Sequence, residues 1–146
     1  MSFLSFCAAN VLIDLESLYN LIHQRHPVHA FFHTYVGATL VVVAAVLLFL
    51  GLRAFASRYW FPNLFRWREL SSKQVGIGAA LGAYSHVVLD SAMHSDMRPL
   101  SPFALGNLLL GVVPLSTLHL ACLVLGAVGG VVVAVRWFVN GGENAL

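Results

Sequence analysis

The feature that most constrains this chain is a long, mainly apolar stretch over residues 30–52. It contains no Asp, Glu, Lys or Arg, and its central sequence is GATLVVVAAVLLFLGL. At ~1.5 Å per residue, a helix of this length crosses the ~30 Å hydrocarbon core of a bilayer. The chain as a whole is 59% hydrophobic and 10% charged, against roughly 25% charged for a soluble domain. It is therefore predicted to be an integral membrane protein.

Three further segments have the composition of membrane helices. Residues 74–94 are centred on GIGAALGAYSHVVLD, whose glycines suit close contact between helices. The last apolar stretch is too long for one span, and a break at Pro114 leaves a helix over 116–138. The first segment, 3–22, contains two carboxylates, which are costly in hydrocarbon unless they are paired or bound. We predict an all-α polytopic membrane protein, with a single transmembrane domain over 1–146 and about four transmembrane helices.

The link between the second and third helices, residues 53–73, is rich in basic and aromatic side chains. It carries four arginines and one lysine against a single acidic residue, Glu69. Basic residues among large aromatics are typical of the headgroup layer of the cytoplasmic leaflet. We interpret this link as an interfacial anchor that contacts membrane lipids, and not as a nucleic-acid site. The topology then predicts a multi-pass protein of the cell membrane, with residues 23–29 and 94–106 on the extracytoplasmic side.

Most of the ionisable residues lie near that predicted outer face. His29 and His33 are four positions apart, which would place both rings on one face of a helix. His86, Asp90 and His94 repeat this spacing along the third helix. Imidazole and carboxylate together are the ligands of zinc, manganese or iron sites. The pattern predicts a metal site, and the alternative is an interhelical hydrogen-bond network without metal.

Two carboxylates of the first helix belong to the same layer. Asp14 and Glu16 are two positions apart, so one helix cannot direct both at one ion. At least one of them is therefore expected to support the site, to act as a general base or to sit on a distorted turn. His23 and His26 lie in a polar loop and are interpreted as solvated or supporting residues, and His119 as a packing residue.

Three pieces of the chain match motifs of a known protein family. They are NVLIDLESL (10–18), HPVHAFFHT (26–34) and SHVVLDSAMHSDMRPLSPF (85–103). They resemble the YdjM-like family of predicted membrane-bound metal-dependent hydrolases. That family carries an HRxPTHS-type motif at the second piece and an SHLLLD…PF signature at the third. The sequence departs from the family at residues 24–27, where Gln-Arg-His-Pro replaces His-Arg-x-Pro. The resemblance implies a membrane-embedded hydrolase that uses a metal ion.

The chain is more distantly similar to zinc-dependent phospholipases C and single-strand nucleases. Those enzymes have an Asp, a His some fifteen residues later, and then His-x-x-x-Asp followed by another His. The positions that match are Asp14, His29, His86, Asp90 and His94. This similarity implies a site with two or three metal ions for phosphoester hydrolysis. The chain lacks the N-terminal Trp ligand and the final His-x-x-x-Glu of those enzymes.

We therefore predict a hydrolase with a mono- or dinuclear site, zinc being the expected metal and manganese or iron the alternatives. The predicted ligands are Asp14, His29, His33, His86, Asp90 and His94. A metal-activated water would attack a phosphoester or ester in a lipid-like or amphiphilic substrate. Glu16 or Asp96 is expected to accept the proton of that water, and Arg98 to hold an anionic headgroup. The rival interpretation is a metal or proton transporter, or a metal-binding membrane subunit, that uses the same ligands without hydrolysis.

Overall fold

The structure, a computed structural model, describes residues 1–59 and 62–139. Over these ranges the chain forms four α-helices and one short 3-10 helix and contains no strand, which confirms the all-α prediction. The helices are α1 (Phe3–Ile22), α2 (Tyr35–Arg58), α3 (Ser72–Met93) and α4 (Leu115–Val139), and the 3-10 helix is Leu64–Glu69.

Among the described residues, two helices are long and apolar enough to cross a membrane. They are Tyr35–Arg58 and Leu115–Arg136. The sequence predicted about four such helices. The polar residues within α1, which include Asp14 and Glu16, and the glycines and polar residues of α3 lower the hydropathy of these two helices. By length and composition, the structure therefore supports two candidate spans.

The chain divides into two compact units, of which the first is Met1–Leu110. In this unit α3 packs against both α1 and α2. The interface contains small side chains, such as the fully buried Ala9 and Ala83. A Cβ added at Gly82 of α3 would lie only 2.4 Å from the carbonyl oxygen of Phe6 in α1. Small residues thus let the two backbones approach closely, as they do between membrane helices.

The second unit begins at Gly111 and contains α4. The predicted break at Pro114 is confirmed, because α4 starts at the next residue. The carbonyl of Pro114 accepts a hydrogen bond from the backbone N–H of Leu118, in the first turn of α4. Large apolar side chains of this helix, such as Leu123 and Val131, are exposed. That residues 1–146 form a single domain stays a prediction.

The predicted start of the second helix, at residue 30, is wrong, because α2 begins at Tyr35. Thr34 caps the helix through its hydroxyl, which accepts a hydrogen bond from the backbone N–H of Gly37 at 2.9 Å. The residues before Thr34 form a loop whose backbone N–H groups donate to carboxylates from other segments. These donors are Val28, His29 and Phe32. The acceptors, Asp96 and Glu16, are distant in sequence from these donors. The spacing of residues within 23–34 therefore could not predict that this segment forms a loop.

The bounds of α1, α3 and α4 lie close to those predicted, whereas the predicted end of the second helix, at residue 52, is wrong. α1 coincides with the predicted segment 3–22. α2 continues to Arg58, so the first part of the predicted basic link belongs to a helix. α3 begins after a capping box, in which the Ser71 hydroxyl accepts from the backbone N–H of Gln74 and the Gln74 side chain accepts from the backbone N–H of Ser71.

Candidate metal centre

A cluster of histidine and aspartate side chains lies where α1, α3 and the loop before α2 meet. Asp14 comes from α1, His33 from the loop, and His86 and Asp90 from α3. One ligand atom from each of the four lies within 4.8 Å of the others. We refer to these four residues as the first group.

The ring nitrogens of the first group point at its carboxylates. Nε2 of His86 lies 3.2 Å from Oδ1 of Asp14 and 3.2 Å from Oδ2 of Asp90. Nε2 of His33 lies 3.6 Å and 3.5 Å from the same two oxygens. His33 is fully buried, whereas the Asp14 side chain is 56% exposed. The group is therefore enclosed by protein on the histidine side and open at Asp14.

Both Nε2 atoms are buried and have no hydrogen-bond partner among the described residues. The opposite ring nitrogens do have partners, since Nδ1 of His86 lies 2.9 Å from Oδ1 of Asn10 and Nδ1 of His33 lies 3.4 Å from Oγ of Ser17. A neutral imidazole that donates from Nδ1 presents a lone pair at Nε2. Leaving a buried polar atom unpaired costs about 1–3 kcal/mol.

These atoms fit a divalent metal ion. Two imidazole lone pairs and two carboxylate oxygens that face one centre are a ligand set that zinc accepts. Hydrogen bonds to the distal ring nitrogens are also the usual way in which proteins orient histidine ligands. The first group therefore satisfies two independent requirements of a metal site, the ligand atoms and their supporting partners.

A second group consists of His29, His94 and Asp96, whose ligand atoms also lie within 4.8 Å of one another. The His29 and His94 rings stack with their centroids 4.2 Å apart. The His29 ring also contacts that of His33 edge-on, with centroids 4.8 Å apart. The two groups are thus neighbours, and between them they contain every residue that the sequence predicted as a ligand.

Asp96 uses both of its carboxylate oxygens in hydrogen bonds. Oδ2 accepts from the backbone N–H groups of Val28 and His29, at 2.9 Å and 3.1 Å. Oδ1 lies 2.9 Å from Nδ1 of His29. Burial alone raises the pKa of Asp96, but the hydrogen bonds from the backbone and ring of His29 outweigh it, so the pKa lies below its ordinary value. Asp96 therefore binds the loop and orients His29, and its role as a proton acceptor stays a prediction.

The other two predicted catalytic residues belong to neither group. Glu16 accepts a hydrogen bond from the backbone N–H of Phe32, the residue before His33. Arg98 is exposed in the segment that follows Asp96. Both therefore lie in segments that carry ligands, and their catalytic roles stay predictions.

Two geometric predictions are wrong. His29 and His33 do not share a helix face, because both lie in the loop before α2 and they belong to different groups. His94 does not extend the stripe formed by His86 and Asp90. It is the C-cap of α3, with extended backbone angles of φ −110° and ψ 126°, and its ring stacks on His29 instead.

Sequence reasoning missed Asn10 and Ser17, which contact the histidines of the first group. With Asp14 they occupy positions i, i+4 and i+7 of α1. This spacing places them along one side of a helix. A polar stripe in an otherwise apolar segment was the signal that could have revealed them.

The remaining histidines lie outside both groups. His23 is exposed, and its Nδ1 lies 2.9 Å from the carbonyl oxygen of Tyr19. His26 is exposed, as the interpretation of a solvated residue requires. His119 is on α4 in the second unit, and its interpretation as a packing residue stays a prediction.

An apolar groove of about 480 Å³ lies elsewhere in the first unit. Its lining includes Leu4 and Ala8 of α1 and Leu48 and Leu52 of α2. These residues belong to the N-terminal half of α1 and the C-terminal half of α2, whereas the first group lies toward the opposite ends of these helices. The groove is therefore separate from the candidate metal centre.

No family model, curated protein or solved structure matches this chain. The class of site is defined by geometry alone, as a histidine–aspartate centre in a helical protein that could bind a metal ion.

Proposed function

We propose that this protein is a membrane-embedded, metal-dependent hydrolase. The observation that carries the proposal is the pair of buried Nε2 atoms of His33 and His86, which make no hydrogen bond among the described residues although they face the carboxylates of Asp14 and Asp90. One cation between them would give all four side chains a partner. The resemblance to the YdjM-like family supports hydrolysis as the reaction class.

The two groups suggest a division of labour. The first group would hold the principal metal ion, and the second group has ligand atoms that could bind a second ion. When bound, a divalent ion such as zinc, or alternatively manganese or iron, polarises the scissile bond and lowers the pKa of water to about 7. Glu16 is our preferred proton acceptor, because Asp96 already accepts three hydrogen bonds. Arg98 carries an exposed positive charge near the second group, which would suit an anionic headgroup.

We further propose that α1 and α3 cross the membrane together with α2 and α4. Their outward faces support this, because large apolar side chains such as Phe3 and Leu15 of α1 and Ile77 and Leu81 of α3 are exposed. Extended apolar surfaces of this kind are unfavourable in water and typical of lipid-facing helices. The basic link favours the cytoplasmic side, which would put the metal centre at the extracytoplasmic interface and favour a lipid-like or amphiphilic substrate.

Transport of metal ions or protons is the rival function. A transport path needs polar or ionisable groups that continue to the other membrane face. Toward the start of α3, the buried residues between the helices include Ala9, Val75 and Ala79. The buried polar side chains at this end are the hydroxyls of Ser2 and Ser5, and no ionisable residue is buried there among those described. This favours a site that is closed at its inner end.

The deciding experiment starts from protein purified in detergent without chelator. Its metal content is measured by plasma mass spectrometry, and it is then assayed on chromogenic phosphomonoesters, phosphodiesters and carboxylic esters, and on phospholipids in mixed micelles. We expect hydrolysis that disappears on chelation and returns with zinc. If loaded protein hydrolyses nothing yet moves metal or protons into proteoliposomes, and His86→Ala stops that flux, the hydrolase proposal is overturned.

A further inference from the structure

Asn10 contacts the candidate metal centre without belonging to either group. Its Oδ1 lies 2.9 Å from Nδ1 of His86. Its Nδ2 donates to the carbonyl oxygen of Phe6 at 2.8 Å. A carbonyl can only accept, so this second bond fixes which end of the amide faces the ring. An amide oxygen cannot donate, and the hydrogen between Asn10 and His86 must therefore be on Nδ1 of His86.

We propose that Asn10 is a positioning residue that holds His86 in the Nδ1–H tautomer and so keeps the Nε2 lone pair available to a metal ion. The proposal rests on the metal centre of the proposed function. Without Asn10, a hydrogen on Nδ1 would lose its acceptor. The same hydrogen on Nε2 would lie near the carboxylate oxygens of Asp14 and Asp90, each 3.2 Å from that nitrogen, so the Nε2–H tautomer would become the more stable one. A proton at Nε2 would occupy the position that the ion needs.

Helix packing supports this hydrogen bond. Gly82 lies four positions before His86 on α3, on the side that meets α1. A Cβ at Gly82 would lie 2.9 Å from Nδ2 of Asn10 and 2.4 Å from the carbonyl oxygen of Phe6. The missing side chain therefore lets α1 come close enough to α3 for Asn10 to reach the ring one turn further along.

The chemistry of Asn also suits the charge of the first group. Two neutral imidazoles and two carboxylates carry a charge of −2, which a divalent ion neutralises. An amide at position 10 orients His86 without adding charge, whereas a carboxylate would leave the loaded centre with a net negative charge. Beside His86, whose side chain is only 13% exposed, an uncompensated charge is costly, so the neutral acceptor is the favourable choice.

The test measures the tautomer of His86 in metal-free protein, by nitrogen-15 NMR of labelled histidines in detergent micelles at a pH where the ring is neutral. The His86 signals are identified by their loss in His86→Gln. Asn10→Leu removes the acceptor at similar volume, and Asn10→Asp retains an acceptor. Thr39→Val is the matched control, because it removes a different interhelical hydrogen bond, of 2.8 Å to the hydroxyl of Tyr84. Zinc affinity of the same proteins is measured by competition with a chromophoric chelator.

We expect the Nδ1–H tautomer in wild type, Asn10→Asp and Thr39→Val, and the Nε2–H tautomer in Asn10→Leu. Zinc binding to Asn10→Leu should be weaker by about 10–100-fold, the usual effect of losing the partner of a histidine ligand. Thr39→Val should bind zinc as wild type does.

Three results would overturn the proposal: Nε2–H in the wild type, wild-type tautomer and affinity in Asn10→Leu, or loss of Nδ1–H in Asn10→Asp. The first and third remain decisive if Asn10→Leu fails to fold. A wild type that binds no zinc would remove the metal centre of the proposed function. NMR of the metal-free protein would still decide whether Asn10 determines the tautomer of His86.

Discussion

The ring nitrogen Nδ1 of His29 lies 2.9 Å from the carboxylate oxygen Oδ1 of Asp96, although the two residues are 67 positions apart in the sequence. The other oxygen of Asp96 accepts hydrogen bonds from the backbone N–H groups of Val28 and His29. The Asp96 carboxylate thus links the loop before α2 to the segment after α3 through hydrogen bonds. It also sets which nitrogen of His29 is left for a ligand.

Asp96→Asn should destabilise the metal-free protein in a pH-dependent way. The pKa of Asp96 lies below its ordinary value, because hydrogen bonds from His29 stabilise the charged form more than burial disfavours it. A carboxyl group of this kind stabilises the folded state fully above its unfolded pKa of ~3.9, and the contribution is lost as the pH falls through the lower, folded pKa. The wild type should therefore have the higher Tm at pH 7, and the difference should narrow as the pH falls below ~3.9. Thermal unfolding in detergent with a chelator measures this, and a constant difference would contradict it.

Metal content should depend on the first group and not on histidines in general. His86→Ala removes a nitrogen ligand and leaves Asp14 and Asp90 with only one of the two imidazoles that face both of them, that of His33. We expect near-stoichiometric metal in wild type, loss of most of it in His86→Ala, and retention in His26→Ala, whose histidine is exposed outside both groups. Plasma mass spectrometry of the three proteins decides this. Wild type that is free of metal without exposure to chelator would exclude the metal centre.

Glu16→Gln should separate chemistry from metal binding. The amide can still contact the loop at Phe32 but cannot take a proton from water, so turnover should fall by ~10²–10⁴-fold while the metal stays bound. Asp90→Ala should lose both metal and turnover, and should unfold at a lower temperature because His33 and His86 lose a partner. Activity and metal content are measured on the same preparations. Full activity in Glu16→Gln would assign the proton transfer to another group.

Labelling of single cysteines should establish the topology. In a background that lacks Cys7 and Cys122, a cysteine at Ser57 should be protected from impermeant reagents in intact cells, and one at Ala104 should react. Both positions are exposed in the structure, so protection would come from the membrane. The basic residues of 53–73 predict this orientation. The reverse pattern would place the metal centre on the cytoplasmic side.

Two glycines of α3 should respond to alanine in opposite ways. A Cβ at Gly82 would meet Phe6 at 2.4 Å, so Gly82→Ala should push α1 away from α3, lower the Tm and weaken zinc binding. A Cβ at Gly76 meets only a methyl group of Val46, at 3.8 Å. Gly76→Ala should therefore be neutral or stabilising, by up to about 1 kcal/mol from helix propensity. Equal effects of the two substitutions would argue against the close approach of α1 and α3.

The sequence by itself determined the helical class and most of the helix positions. Apolar composition and the break at Pro114 are local properties, and α1, α3 and α4 lie close to their predicted bounds. The pairing of His86 with Asp90 was also predictable, because both residues lie within one helix and a spacing of four positions brings their side chains together. In each of these cases the information that fixes the structure lies within a few turns of chain.

Only the tertiary structure decided how the ligands are divided. The loop before α2 is bound by Glu16 and Asp96, which come from other segments. Because His29 and His33 lie in this loop, α2 begins only at Tyr35, and the two histidines belong to different groups. The choice of Asn10 as the partner of His86 likewise depends on the close approach of two helices. Spacing along one helix cannot predict such contacts, because they are set by which carboxylates and backbones meet after the chain has folded.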